Sequence, residues 1–228
     1  EGFESGGLEN WDLKSGGATV ETPPTGMSGS YAVDLANELQ AYLRKDLGTT
    51  YTAMYFALKV YFTSSTGGGI ITLYDAAGTQ IFTLMRNASS SLLEVRRGSY
   101  TGTLLATGTT TITNATTFLI ELYYVPLNSG GTVQVKVNLG SAEINYSGDT
   151  TNGNESFRHV LLGQPSGGGY AYNYIDDFVM DDAGWIGNTR IQGLVPTGAG
   201  TTTQWDPSAG SNYACVDERP ASDSDYVS

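Results

Sequence analysis

The chain is governed by a two-residue rhythm of apolar and polar side chains. In residues 56–62, Phe56, Leu58, Val60 and Phe62 fall on one side of an extended backbone and Lys59 on the other. Residues 118–124 repeat the pattern with apolar even positions and Glu121 facing out. Residues 133–138 set three valines against Gln134, Lys136 and Asn138. Side chains alternate across a strand, so these runs specify antiparallel strands with one dry and one wet side.

Shorter runs at 70–74, 80–85, 92–96, 159–162 and 174–180 read as further strands. The connectors at 65–69, 75–78, 128–131 and 166–169 are rich in the Gly, Ser, Asn and Asp that turns require. Strands spaced by about 8–12 residues predict an all-β chain, an antiparallel β-sandwich. One stretch admits two readings. Leu35, Leu39, Tyr42 and Leu43 share a helical face with Asp34 as N-cap, or two strands, 31–35 and 41–45, turn near Asn37-Glu38. The strand reading is preferred. After Asp182 the chain becomes rich in Thr, Gly, Pro and Asp, with too few apolar residues for a core of its own. Residues 1–182 therefore form the sandwich. Residues 183–228 form an irregular C-terminal extension, lying on the sandwich or a neighbour, or leading to a further domain.

Charge narrows the partners. The net charge of −12 repels phosphate backbones and argues against nucleic acid. No run approaches the roughly 18 apolar residues of a spanning helix, so membrane insertion by a helix is not expected. The single cysteine, Cys215, excludes an intrachain disulfide and reads as a packing residue. Starting at Glu1 rather than Met, the chain reads as a processed product or a fragment.

Three segments carry a resemblance. Gly2-Phe3-Glu4-Ser5-Gly6 followed by Trp11 resembles the first strand of concanavalin A-like lectin and carbohydrate-binding jelly rolls. Residues 118–138 resemble a hairpin of their laminin-G-like relatives, and Tyr174-Ile-Asp-Asp-Phe178 resembles the closing strand. Further on, Gly187-Asn-Thr-Arg-Ile191, Pro196 to Gly200, Thr203-Gln-Trp205-Asp-Pro207 and Tyr213 to Val227 are similar to a segment of phage and prophage structural proteins. In those proteins the pattern runs on, which implies sequence beyond Ser228. The resemblance implies a lectin-like jelly roll in a virion protein: a tail, fibre or capsid-decorating component on the particle surface. Its partners would be other virion proteins, copies of itself and host-surface glycans. The alternative is a carbohydrate-binding module of a cellular polysaccharide-active protein.

Among site residues, the resemblance assigns a structural Ca²⁺ to Glu4 with Asp176 or Asp177, where opening and closing strands meet. The residues themselves allow the plainer reading, acids bonded to loop amides or to water. Tyr170, Tyr172 and Tyr174 share one strand face and form a candidate platform for a sugar ring, to which Tyr55 with Tyr61, and Tyr100 with Tyr123, could add. The competing reading makes these tyrosines ordinary strand formers. No catalytic set emerges, and the chain is read as non-enzymatic. His159 is alone and reads as a rim residue. The adjacent Asp176 and Asp177 should point to opposite faces, unlike a glycosidase pair.

Overall fold

Each alternating run becomes a strand with its apolar side buried. The computed structural model describes residues 2–15, 17–35, 41–164 and 173–191. These form β1 (Leu13–Lys14), β2 (Thr19–Glu21), β3 (Ala32–Asp34), β4 (Tyr42–Tyr51), β5 (Met54–Phe62), β6 (Gly68–Tyr74) and β7 (Gln80–Arg86). They continue as β8 (Leu92–Arg97), β9 (Thr103–Thr111), β10 (Thr117–Val125), β11 (Gly131–Val137), β12 (Ala142–Gly148), β13 (Phe157–Gly163) and β14 (Asn173–Asp181). No helix occurs among the described residues. The 31–45 stretch contains the ends of two strands, and the turn expected at Asn37-Glu38 lies outside the described residues.

Two seven-stranded antiparallel sheets stack face to face. The first has the order β1-β4-β13-β6-β7-β8-β9, the second β12-β11-β10-β5-β14-β3-β2. Phe56, Leu58, Val60, Phe62, Ile120, Leu122, Val133 and Val135 from the second sheet meet Leu73, Phe82, Leu84, Val95, Val160 and Leu162 from the first. This is the antiparallel sandwich expected from the alternation, and it is consistent with the jelly roll that the resemblance implies.

A second kind of tie holds the loops. Arg86 ends β7 with its side chain buried, and all five guanidinium donors are used. They reach the carbonyls of Ile112, Ser64 and Thr66, Ser91 Oγ and Asn114 Oδ1 at 2.8–3.1 Å. The guanidinium also lies 4.8 Å over the Phe62 ring. A buried charge is tolerated where every donor is satisfied, and here one side chain pins three connections.

The outer face of the second sheet is drier than the alternation predicts. Lys59 and Glu121 do project to the outer side, yet both are buried. Two segments lie across them. Thr117 Oγ1 donates to Thr25 O, fixing the loop before β3, and Gly187 N–H donates to Glu121 Oε1 at 2.8 Å. Trp185 packs edge-on against Tyr55 and Tyr123, with Lys136 Nζ 3.7 Å from its ring centroid. Alternation assigns a side chain to a face; it says nothing of what the chain later lays over that face.

Candidate functional site

The acids nominated from sequence converge. Glu4 accepts the Ser30 N–H on both oxygens (3.0 and 3.1 Å) and the Tyr31 N–H at 3.4 Å. The loop closes this tightly because Gly29, at φ +73°, has no side chain: a Cβ there would lie 1.8 Å from Glu4 Oε1. Asp176 accepts the Ser28 N–H at 3.3 Å and the Asp177 N–H at 2.7 Å. Asp177 accepts the Ile191 N–H at 2.8 Å and meets Lys59 Nζ at 2.8 Å.

The expectation that Asp176 and Asp177 point to opposite faces is corrected. The β14–β5 register shifts between Asp176 and Val179, and Asp177 has φ +50°. This bulge breaks the alternation and gathers both carboxylates around Lys59 and Ser28. Burial, followed by the charges of Asp177 and Glu4, pushes the Asp176 carboxyl up to about 7. The residues do not fit a calcium ion as they stand. The oxygens of Glu4 and Asp176 are turned to backbone amides and Asp177 faces an ammonium. Among the described residues no group of three or more His, Cys, Asp or Glu is disposed to hold a metal.

Of the tyrosines singled out as a platform, Tyr170 and Tyr172 lie outside the described residues. Tyr174 sits on the outer face of β14 in edge contact with Tyr61, its cross-strand partner. Burial, and then Asp34, raise its hydroxyl to about 12. Tyr55 and Tyr61 share the outer face of β5, whereas the expected grouping of Tyr100 with Tyr123 is corrected. Tyr55 stacks on Tyr123 at 4.3 Å, because the β10–β5 register places them opposite one another, whereas Tyr100 lies in the β8–β9 turn of the other sheet. His159 is held at the rim, with Nδ1 3.0 Å from Asp75 O and Nε2 3.7 Å from Asp46.

Sequence reasoning missed the outer face of the first sheet. Register places Arg44, Leu161, Thr72, Thr83 and Arg96 opposite one another on β4, β13, β6, β7 and β8. Five strands at about 4.8 Å spacing make this row roughly 19 Å long, the span of a short oligosaccharide. At its centre Leu161, Thr72 and Thr83 are buried, and Thr72, Gln80, Thr83, Tyr100 and Gln164 line a dimple with no room for a water molecule. Its floor is partly committed: Thr83 Oγ1 donates to Gly98 O, and Gln164 Oε1 accepts the Gly69 N–H. Thr72 Oγ1, buried in the same floor, has no partner. Gln80 Nε2 donates to Tyr74 Oη, and Arg44 lies 5.0 Å over the Tyr74 ring. Arg96 is tied to Glu94 and to Gly102 O. Hydroxyls and amides flanked by aromatic rings can take sugar hydroxyls and pack against the C–H face of a pyranose. The available signal was the alternation of Thr72, Thr83 and Arg96 with core residues, which becomes a row only once the strand order is known.

A larger recess of about 270 Å³ lies at the edge between the sheets, lined by Asn10, Trp11, Lys45, Leu47, Val160, Phe178 and Met180. Its lining is mainly apolar, with Asn10, Lys45 and the unpartnered Trp11 Nε1 as its polar groups.

No family model and no curated sequence matches the chain. Solved structures share its fold. An endo-β-1,4-glucuronan lyase from the fungus Trichoderma reesei is similar over 77% of this chain and 92% of its own, at 13% identity and a TM-score of 0.54. A Bacillus subtilis protein of unknown function with a galectin-like fold is similar over 76% and 89%, at 11% identity and 0.52. Domain 4 of AbnA, an extracellular arabinanase from Geobacillus stearothermophilus in complex with arabinotriose, is similar over 74% and 77%, at 15% identity and 0.51. At such identities the likeness establishes the galectin-like, jelly-roll architecture alone.

Proposed function

We propose that this sandwich is a glycan-binding domain whose ligand lies across the first sheet, along Arg44, Leu161, Thr72, Thr83 and Arg96. The observation that carries the reading is the unpartnered Thr72 hydroxyl, buried on that row among Gln80, Thr83, Tyr100 and Gln164. The second sheet supports it by contrast, since the protein's own 185–191 segment lies over Glu121 and the Tyr55–Tyr123 pair. The arabinotriose complex and the polysaccharide lyase among the structural relatives are consistent with this ligand class. Binding rather than turnover is proposed, because Glu4, Asp176 and Asp177 are engaged with amides and Lys59. Retention of the full chain in gels containing soluble polysaccharides, with Thr72→Val and Tyr100→Ala alongside, tests the site. Retention lost in both variants is expected; a chain that no polysaccharide retards removes the reading.

The resemblance of 187–227 to phage structural proteins supports a setting on a virion surface. There the sandwich would face host glycans, and the segment after β14 would lead to other virion proteins or to copies of itself. The same glycan-binding row would serve equally in a module of a cellular polysaccharide-active protein. Labelling intact particles with an antibody to this chain distinguishes the two settings.

A further inference from the structure

Around β14, one ammonium meets the Asp177 carboxylate and the hydroxyl of a loop whose amides bind Glu4 and Asp176. Lys59 Nζ lies 2.8 Å from Asp177 Oδ2 and donates to Ser28 Oγ, and Ser28 N–H in turn donates to Asp176. The Lys59 side chain is 11% exposed and that of Asp177 1%. Asp177 Oδ2 accepts no other hydrogen bond, so the Lys59 charge is what compensates it. The ammonium is also held by register. Asp176 is the cross-strand partner of Lys59, and β5 is flanked by β10 and β14.

We propose that Lys59 takes the place of a divalent cation in this fold. An ammonium built into a central strand ties the 25–31 loop to β14, and the sandwich closes without calcium. The chemistry on each oxygen supports this. Calcium takes six to eight oxygens at about 2.3–2.6 Å. Here Glu4 presents its lone pairs to the Ser30 and Tyr31 amides, and Asp176 to the Ser28 and Asp177 amides. An ammonium has three donors and no need of such a cage. Removing it leaves Asp177 buried without its counter-charge, beside Asp176 and the Ser28 hydroxyl. That is an oxygen-rich vacancy suited to a hard cation.

The test compares thermal unfolding of the full wild-type chain and of Lys59→Ala in EDTA and in excess calcium chloride, with elemental analysis of the dialysed proteins. The wild-type midpoint is expected to be the same in both solutions, and the protein to carry no stoichiometric calcium. Lys59→Ala should unfold roughly 10 °C lower in EDTA, the scale of breaking a buried pair in a chain of this size, and recover part of that loss in calcium. A wild-type midpoint that rises with calcium, or wild-type protein that keeps calcium through dialysis, overturns the proposal. So does a Lys59→Ala midpoint equal to wild type in EDTA. If Lys59→Ala does not fold, the wild-type comparison decides alone. The outcome is independent of glycan binding, which is located on the other sheet.

Discussion

Thr72 and Thr83 are cross-strand partners on β6 and β7, both buried, yet only one hydroxyl is satisfied. Thr83 Oγ1 donates to Gly98 O at 2.8 Å, while Thr72 Oγ1 has no partner. Leaving a buried hydroxyl unpaired costs about 1–3 kcal/mol. Thr72→Val keeps the β-branched shape and removes the hydroxyl. It is expected to leave stability unchanged or raise it by up to about 1 kcal/mol, and to weaken glycan retention about tenfold. Thr83→Val, which breaks a made bond, should instead destabilise by about 1 kcal/mol. Denaturant unfolding of the two variants side by side checks the contrast. Equal destabilisation would mean that Thr72 is already satisfied.

Arg86 is the polar residue on which the loops depend most. Its five bonds reach segments 64–66, 91 and 112–114, none through a carboxylate. Lysine keeps the charge but cannot reproduce the planar fork. Arg86→Lys is expected to cost about 3 kcal/mol through unmade bonds and a poorly solvated ammonium, and Arg86→Met somewhat less, since it buries no charge. Chemical denaturation checks the order. A lysine variant as stable as wild type would show that the guanidinium geometry is not what holds the loops.

Asp176 supplies a pH dependence of unusual sign. Its carboxyl rises from 3.8 to about 7 in the folded state, through burial first and then through Asp177 and Glu4. The native state therefore binds the proton more tightly than the unfolded chain. Between roughly pH 4 and pH 7 the folded protein carries more protons, so stability falls as pH rises through this window. The cost of ionising Asp176 is absent below the unfolded pKa and complete above the folded one. At about 1.4 kcal/mol per pH unit, the ceiling is roughly 4 kcal/mol. Asp176→Asn removes the titration but keeps one acceptor oxygen where the Ser28 and Asp177 amides use two. Its stability should lack the decline that the wild type shows between pH 4 and pH 8, as thermal melts across that range would show. An unchanged slope in the variant would assign the titration elsewhere.

These particulars show where sequence reading reaches its limit. The long runs 56–62, 118–124 and 133–138 became β5, β10 and β11 because one side of each is apolar throughout and the other carries polar residues, a signature that survives later burial of the polar side. The strand β9 was not legible. It is a largely exposed edge strand, Thr-rich with a glycine at 108, and has no dry side to betray it. Asp176-Asp177 was misread because a bulge changes side-chain direction without changing composition. Glu4, Asp176 and Asp177 could be brought together by resemblance, but Lys59 could not, since its role depends on the register of β5 with β14. The Arg44–Thr72–Arg96 row is likewise a property of strand order, since β13 is inserted between β4 and the consecutive strands β6, β7 and β8.

Trp185 joins the segment after β14 to the second sheet. Its ring meets Tyr55 at 5.3 Å and Tyr123 at 6.4 Å, under the Lys136 ammonium, and two residues later Gly187 N–H reaches Glu121. Local opening of this segment gives up these contacts and the Ile191–Asp177 bond without unpairing a strand, so it should occur well below the free energy of global unfolding. Trp185→Ala removes the aromatic and cation–π contacts, worth about 2 kcal/mol together. The Gly187 and Ile191 amides should then exchange with solvent roughly 30-fold faster, while amides of β5 and β10 stay protected. Hydrogen exchange read by mass spectrometry on peptides spanning 181–191 checks this. The Tyr55–Tyr123 stack loses its cover in the variant, yet glycan retention should be unaltered, because the proposed row lies on the opposite sheet. A loss of retention in Trp185→Ala with the sandwich intact would move the ligand to the second sheet and make the 185–191 segment part of the site.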